Sequence, residues 1–326
     1  MKITYLCLES KPNKAKHHIC VNLQHKRIFL MINFLYRNSF NVVIKGVTAL
    51  TSALLLSCTP QVESPDNNNA SAYISEVFEY VYAPGQHSAY AISDEAFENF
   101  KGEPDGIVYL GGFGGYIIAG FDHNVINKGG YDFEIYALGV MPEPAVVYVM
   151  SDENGDGAPN ETWHELKGNQ FDNSLRDYEV CYYKPASEES NVRWKDNQGK
   201  EGELISGFGG KWTASWWWSE TESDSIVLSG TRLPDAYENT SNSETQKWEV
   251  PKDRFTWGYA ENQLAEDFDS ENNSNKFDIS NAVDENGNSV DLQHIRFIKV
   301  QTAVFQRAGW LNEISSELRG AKDLHY

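Results

Sequence analysis

Short strand-forming segments, separated by Gly, Asn and Asp turns, recur along residues 72–326 and constrain the fold of this chain most. They are rich in Tyr, Trp, Val and Ile, which favour β-strands. The clearest segments are 106–110, 116–121, 131–137, 145–150, 178–183, 224–228 and 296–302. Helix is expected only near 93–100 and 280–283. The pattern predicts an all-β fold, either a β-sandwich or a jelly roll, formed by residues 72–326 as a single domain.

Two polar segments, about 184–223 and 235–275, interrupt the strand pattern and predict long Trp-rich loop insertions at one end of the sandwich. Three consecutive tryptophans occur in the first segment, and alternation along a strand would turn at least one of them toward solvent or a ligand. The candidate ligand-binding platform comprises Trp194, Trp212, Trp216, Trp217 and Trp218. Such a platform could stack on a sugar ring or another flat ligand. The alternative is a hydrophobic patch that packs the loop onto the sandwich.

The N-terminal region has the character of a secretory signal. An apolar run over 47–56 follows Lys45 and ends in Leu-Leu-Ser-Cys58, which resembles a bacterial lipobox. Cys58 would then be lipidated and become the mature N-terminus. The alternatives are a transmembrane helix or a buried strand, but the run is about half the ~20 residues that a membrane span needs.

The lipobox divides the N-terminal region into three parts. Residues 1–30 are basic and hold no long apolar run, so we interpret them as an upstream extension translated in error, with Met31 as the true start. Residues 31–57 are the predicted signal peptide. Residues 58–71 are predicted to be the lipidated cysteine and a polar, flexible tether. Contact with the membrane is expected through the lipid anchor only.

The charge of the chain excludes one class of partner. Residues 1–58 hold 8 of the 27 Lys and Arg and 1 of the 47 Asp and Glu, which leaves 19 basic and 46 acidic side chains and a net charge of −27 beyond Cys58. Nucleic acid is therefore not an expected partner, because phosphate binding requires the opposite balance. The acidity favours either simple solubility or a requirement for divalent cations.

Cys181 would be the one cysteine left after lipidation, and its apolar surroundings predict a buried thiol.

The strongest metal-site pattern is Asp-Glu-Asn-Gly-Asp-Gly at 152–157, directly after a predicted strand. Oxygen-bearing side chains at alternate positions before a glycine match the first half of a calcium loop. The candidate Ca²⁺ ligands are Asp152, Asn154, Asp156 and Asn160. Trp163 stands where an EF-hand requires a bidentate Glu, so a carboxylate from elsewhere would have to complete the site. The alternative is a solvated hairpin turn.

Two further acidic segments bear on this calcium hypothesis. Residues 284–288 resemble the turn but lack glycine at the sixth position, which favours an ordinary Asn-Gly hairpin. Glu313, Ser315 and Glu317 are predicted to alternate onto one face of the last strand. That face is either exposed or supplies the missing remote ligand.

No residue pattern predicts catalysis. A Gly-x-Ser-x-Gly motif, a Cys/His nucleophile and a His-Glu-x-x-His zinc helix are all missing from the sequence. His123 follows Asp122 and His164 precedes Glu165, but neighbours on a strand point to opposite faces, so neither pair is expected to form an acid/base dyad. The sequence therefore assigns no catalytic residue and leaves enzyme activity open.

The chain resembles a family of secreted or surface lipoproteins of Bacteroidetes usually described as "cell surface protein". The matching segments are 80–86, 110–123, 130–136, 143–149, 163–166, 194–199, 229–234, 257–260, 277–283, 297–304 and 309–317. The resemblance implies a jelly-roll-like sandwich, no established catalysis and an outer-membrane lipoprotein at the cell surface. It also implies an accessory role beside outer-membrane transporters for nutrients, including corrinoids. Residues 137–139, Ala-Leu-Gly, depart from the family pattern and weaken any site placed there.

Three functions remain open at this stage. The first is a non-catalytic surface lipoprotein, stabilised by Ca²⁺, that binds a carbohydrate or other small molecule, such as a corrinoid, for an outer-membrane transporter. The second is a glycan-acting hydrolase, which should have a cleft with two carboxylates about 5–10 Å apart. The third is a structural adhesion domain, which should have neither a cleft of this kind nor an exposed aromatic strip.

Overall fold

A computed structural model of the chain describes residues 71–85, 95–187, 189–205, 223–241, 247–309, 311 and 313–326. The predicted signal peptide, Cys58 and nearly all of the tether lie outside these residues. So do Trp212, Trp216, Trp217 and Trp218, and the hypotheses that rest on them stay predictions. Within the described part of the chain, no helix combines the length and apolar character needed to cross a bilayer.

Antiparallel sheets dominate the structure. Strand accounts for 43% of it and helix for 5%, which confirms the predicted all-β class. The strands are β1 Glu76–Val81, β2 Val108–Tyr109, β3 Tyr116–Ile126, β4 Phe133–Ala137, β5 Ala145–Met150, β6 His164–Leu166, β7 Leu175–Tyr183, β8 Val192–Asp196, β9 Glu201–Leu204, β10 Ser225–Arg232, β11 Glu238–Asn239, β12 Trp248–Glu249, β13 Phe268–Asp269, β14 Ser274–Phe277, β15 Ala282–Val283, β16 His294–Thr302 and β17 Glu317–Asp323. A short helix, α1, spans Glu95–Asn99, and 3₁₀ turns span Phe171–Asn173 and Ile279–Asn281.

Two of the sheets share the main hydrophobic core. The six-stranded sheet has the order β1-β3-β16-β5-β6-β15, and the five-stranded sheet has the order β13-β14-β4-β17-β2. Ile117 and Val147 from the first sheet belong to the same buried cluster as Ile135 and Leu318 from the second. This arrangement is consistent with the predicted β-sandwich. It does not establish the connectivity of a jelly roll.

The strand β3 combines regular alternation with one irregular stretch. Ile117 and Ala119 face the core two residues apart, as the period of a strand requires. The pairing with β16 then shifts, because Gly120 lies opposite Phe297 while Val125 lies opposite Ile295. Extra residues of β3 therefore bulge between Gly120 and Val125, and alternation fails there.

The first predicted loop insertion is in part a sheet. β8 and β9 extend β7 and β10 into a four-stranded sheet of order β10-β7-β8-β9. The turn between β8 and β9 is held by Asp196, whose Oδ1 accepts hydrogen bonds from Gln198 N at 3.0 Å and Lys200 N at 2.6 Å. The loop prediction was wrong for 192–204 because charged residues fill the exposed face of this hairpin and obscure its strand pattern.

The second predicted insertion contributes to the interior. Tyr237, Phe255 and Tyr259 are buried in a cluster with Val146, on the opposite face of β5 from the sandwich core. This region is therefore not a set of loops decorating one end.

The prediction for Cys181 was also wrong: the thiol is half-buried, because it lies on the face of β7 opposite the buried Val180 and Tyr182.

Candidate functional site

An open cleft of about 650 Å³ lies where β5, β6 and β16 meet β7 and β10. We call it the intersheet cleft. Hydroxyl groups of Thr162, Ser229 and Thr231 lie along it, together with aromatic, basic, acidic and amide side chains. These side chains belong to Tyr148, Trp163, His164, Phe171, Arg176, Lys299, Glu165, Asp177, Glu179, Asp284, Glu285 and Asn286.

Glu165 connects the two sheets at the cleft. On β6 it is paired with Tyr148 of β5, and its Oε2 accepts a hydrogen bond of 2.5 Å from Thr231 Oγ1 on β10. Thr231 N also donates to Tyr148 OH at 3.2 Å. Burial raises the pKa of Glu165 to about 7, against the opposing effects of the Thr231 hydrogen bond and the charge of Arg176. Glu165 can therefore change its protonation state near neutral pH.

Lys299 supplies a cation to the same cleft from the centre of β16. Its Nζ lies 4.4 Å from the ring centroid of Tyr116 and 5.4 Å from that of Tyr148. Burial lowers the pKa of Lys299 to about 8, although the negative charge of Glu79 acts in the opposite direction. A carboxyl group and an amine with shifted pKa values in one cleft mark a candidate functional site.

The mixed lining of the intersheet cleft suits a polar ligand with an apolar face. Trp163 and Tyr148 offer aromatic surface, while carboxylates, hydroxyls and Arg176 offer hydrogen bonds in several directions. Sequence reasoning considered His164 and Glu165 only for a zinc helix or a dyad and missed this cleft. Segments 163–166 and 229–234, two of those that carry the family resemblance, were the available signal for the cleft. They come together only in the fold, through contacts such as the hydrogen bond between Glu165 and Thr231, which are 66 positions apart.

The four predicted calcium ligands do lie in one hydrogen-bonded turn. Asp156 N donates to Asn154 Oδ1 at 2.7 Å, and Asn160 Nδ2 donates to Asp156 Oδ2 at 2.8 Å. Asn154 Nδ2 donates to Asn160 Oδ1 at 3.1 Å. Asp152 accepts at Oδ2 from Gly157 N at 3.1 Å and forms an ion pair of 3.0 Å with Arg296. These bonds hold the turn closed but leave other oxygens available.

Glu161 is the acidic residue of this turn that sequence reasoning missed. Asp152, Asp156 and Glu161 each place one carboxylate oxygen within 4.8 Å of the others. Asp152 Oδ1 and Glu161 Oε2 are buried and have no hydrogen-bond partner among the described residues. The additional carboxylate therefore comes from the residue next to Asn160, whereas EF-hand spacing had directed attention to position 163. Calcium binding at this turn stays a prediction.

The similar segment at 284–288 forms hydrogen bonds typical of an Asx turn. Asp284 Oδ1 accepts from Asn286 N and Asn288 N, each at 2.8 Å, and Asp284 N donates to Asn288 O at 2.9 Å. This geometry agrees with the ordinary hairpin interpretation.

Trp194 is the one predicted platform residue that the structure describes. Its ring packs against Phe305, with centroids 4.8 Å apart at an interplanar angle of 70°, and it is half-buried. It lies against the core of the four-stranded sheet, which favours a packing role. The ligand-binding hypothesis for the other four tryptophans is untested.

The predicted face of the last strand is neither exposed nor part of the calcium turn. Glu313, Ser315 and Glu317 are all buried. β17 begins only at Glu317, so strand alternation did not apply to the two residues before it. One carboxylate oxygen of Glu317 lies within 4.8 Å of oxygens from Glu143 and Glu261 instead.

His123 also departs from the expected strand geometry. Its Nδ1 lies 2.8 Å from Asp122 Oδ1, and its Nε2 lies 2.9 Å from Asp323 Oδ2. The expectation that Asp122 and His123 point apart was wrong because both lie in the bulged stretch of β3. Burial alone would lower the pKa of His123, but hydrogen bonds to Asp323 and Asp122 raise it above its usual value.

Comparison with known proteins does not supply a family for this chain. A scan against protein-family models finds no match, and a search of curated proteins finds no similar sequence. The resemblance to Bacteroidetes surface lipoproteins therefore stays a prediction, and a function has to be proposed from the geometry.

Proposed function

We propose that this protein is a non-catalytic, surface-exposed lipoprotein that binds a polyhydroxylated ligand in the intersheet cleft. The observation that carries this proposal is the cleft itself, with aromatic faces and convergent hydrogen-bonding groups in an open space of about 650 Å³. Such a site fits a short glycan segment, and a corrinoid is the alternative ligand. The polar tether and predicted lipid anchor would hold the domain at the cell surface, where an outer-membrane transporter would receive the ligand.

The chemistry of the cleft supports a neutral polar ligand over a strongly charged one. Acidic groups such as Glu179 and Asp284 line it together with the basic Arg176 and Lys299. Planar carboxylates and guanidinium groups bind neighbouring hydroxyls, while Trp163 offers a flat apolar surface to the ring of a sugar. A polyanion would be repelled by the carboxylates of the cleft and by the net charge of −27 beyond Cys58.

The proposal is tested by measuring binding of neutral oligosaccharides of different backbone types, and of cyanocobalamin, by titration calorimetry. Trp163→Ala is expected to weaken binding at least about tenfold, the loss of one well-packed aromatic contact. Trp248→Ala is the matched control, because Trp248 is a half-buried tryptophan outside the cleft. Binding that survives Trp163→Ala but is lost on substituting Trp216, Trp217 and Trp218 would move the ligand site to the Trp-rich insertion.

A glycan-acting hydrolase is the second candidate, and the pKa of Glu165 favours it. A general acid needs a carboxyl group that is still protonated near neutral pH, and burial raises the pKa of Glu165 to about 7. Asp177 and Glu179 line the same cleft and could act as the partner carboxylate. Release of reducing sugar from the oligosaccharides, abolished by Glu165→Gln but retained in Trp248→Ala, would replace the binding proposal with this one.

A further inference from the structure

Three glutamates from distant parts of the chain meet in the interior. Glu143 precedes β5, Glu261 follows the segment that pairs with β5, and Glu317 begins β17. Their exposed fractions are 8%, 1% and 6%. One carboxylate oxygen of each lies within 4.8 Å of the others. We call these residues the buried glutamate cluster.

Backbone hydrogen bonds fix the cluster in position. Glu143 N donates to Glu261 O at 3.0 Å, next to the reciprocal bonds of 3.0 Å between Ala145 and Ala260. Ser315 N donates to Glu143 Oε1 at 3.2 Å, and Glu317 N donates to Glu261 Oε2. Amide donors stabilise ionised carboxylates, so this framework favours negative charge at the cluster.

The described residues supply no positive charge to balance the cluster. Among them, no Lys, Arg or His forms an ion pair with any of the three glutamates. Burial, followed by repulsion from Glu317, raises the pKa of Glu143 well above its usual value, and Glu313 adds to the repulsion. The pKa of Glu261 is raised in the same way, and burial raises that of Glu317 to about 7. Buried carboxylates in this number require bound protons or a cation.

One carboxylate oxygen of the cluster has no hydrogen-bond donor within the described part of the chain. Oε1 of Glu317 has almost no contact with solvent and no hydrogen-bond partner among the described residues. The Glu317 residue is more than nine-tenths buried. A buried carboxylate oxygen without a donor loses its hydration, and either a proton shared with Glu143 or a bound cation would compensate that loss. Only the cation would keep all three carboxylates ionised, the form that the backbone amide donors favour.

We propose that Glu143, Glu261 and Glu317 form a buried Ca²⁺ site, separate from the Asp152–Glu161 turn and independent of the function proposed for the cleft. Oxygen ligands around Ca²⁺ lie about 2.3–2.6 Å from the ion, so two of them can be up to about 5 Å apart. The oxygens of the cluster, all within 4.8 Å of one another, meet this limit. The ion would join the loop before β5 to the start of β17 and so connect the two sheets of the sandwich.

The test begins with a protein in which the surface turn cannot compete. In the purified Asp156→Asn/Glu161→Gln variant, metal is removed with EDTA, Ca²⁺ is added back, and bound calcium is measured by atomic emission. One Ca²⁺ per chain is expected. Calcium in excess should also raise the melting temperature by about 5–10 °C. Adding Glu317→Gln to this variant should remove both the bound ion and the shift.

Glu134→Gln is the matched control in the same background. Glu134 is 2% exposed and hydrogen-bonds to Tyr136 and Ser274, so it is a buried glutamate outside the cluster. It should leave calcium binding intact. If Glu317→Gln fails to fold, luminescence of added Tb³⁺ in the variant with the intact cluster provides a second measurement, with Ca²⁺ expected to quench it by displacement.

Two outcomes would overturn the proposal. One is a turn variant that binds no Ca²⁺, shows no calcium-dependent melting shift and gives no displaceable Tb³⁺ signal, which would mean that the cluster holds protons. The other is calcium binding that Glu317→Gln leaves unchanged. Loss of ligand binding in the cleft is a separate readout, so failure of this proposal and failure of the proposed function are distinguishable.

Discussion

At the scale of single residues, burial raises the pKa of several carboxyl groups, among them Glu143, Glu165 and Glu261. Glu165 is the clearest case, because one hydroxyl group and one nearby arginine do not offset its burial. A buried carboxyl that keeps its proton near neutral pH links protonation to folding. That linkage gives a prediction for stability as well as for function.

The first prediction concerns Glu165→Gln and pH. The folded state keeps the Glu165 proton up to about pH 7, whereas the unfolded state releases it near the usual pKa of 4.5. Stability is therefore lost as pH rises through this window. The variant should match the wild type near pH 4 and exceed it by on the order of 1–3 kcal/mol at pH 8. Urea unfolding at both pH values measures this. The exposed Glu179→Gln serves as control, and an equal gain there would contradict the assignment.

The second prediction concerns the Asp152–Glu161 turn. In wild-type protein, millimolar Ca²⁺ should raise the melting temperature by several degrees, by roughly RT ln(1 + [Ca²⁺]/Kd) in free energy. Asp156→Asn together with Glu161→Gln should remove the part of this rise that belongs to the turn. Asp284→Asn is the control, because it alters a hydrogen-bonded Asx turn in which the calcium pattern fails. If the double substitution leaves the calcium-dependent rise in melting temperature unchanged, the turn is an ordinary hairpin that binds no Ca²⁺.

At the scale of elements, the β8–β9 hairpin places Trp194 in a packing role. Its ring lies over Phe305 and against Gly202, where a side chain in place of glycine would come within 2.7 Å of the indole. Packing of this kind stabilises the four-stranded sheet through apolar contact. Trp194 therefore differs from a residue displayed for a ligand.

The third prediction follows from that packing. Trp194→Ala should destabilise the protein by about 2–4 kcal/mol, below the full range for a buried tryptophan because the ring is half-exposed, and Trp194→Phe by less. Chemical unfolding gives both values. If Trp194→Ala leaves stability unchanged but weakens ligand binding, Trp194 contributes to the predicted ligand-binding platform rather than to packing.

The elements also explain which parts of the fold were predictable. The sequence located β5 correctly at 145–150, because a continuous apolar segment is bounded by Pro144 and an acidic turn. It missed β8 and β9, whose exposed faces carry charges, and only pairing with β7 makes their strand character evident. The bulge in β3 was also hidden, since it depends on register against β16.

The candidate sites differ in the same way, because one is local in the sequence and the others combine distant residues. Asp152, Asp156 and Glu161 lie within one local turn, so spacing alone brought most of the site into view. The buried glutamate cluster and the intersheet cleft instead combine residues far apart in the chain. Their members meet where separate sheets and the loops beside them contact one another, which local patterns do not specify.

At the scale of the whole molecule, the strongly acidic chain places carboxylates at its turns, in its cleft and in its interior. The interior ones lie at the junction of the two sandwich sheets, where Glu143 is next to β5 and Glu317 begins β17. A cation there would couple the stability of the whole sandwich to calcium outside the cell. That coupling has physiological meaning only if the domain is exported.

Export and anchoring give the final prediction. If the Leu-Leu-Ser-Cys58 motif is a lipobox, Cys58→Ser should release the protein from the membrane fraction of a Gram-negative host, because acyl chains are the expected membrane attachment. Cys181→Ser is the matched control, since this cysteine lies on β7 of the four-stranded sheet, and the variant should stay in the membrane fraction. Fractionation with and without detergent, together with incorporation of labelled palmitate, measures both variants. A Cys58→Ser protein that still sediments with membranes and lacks label would show attachment by another segment, and would remove the lipid anchor from the proposed function.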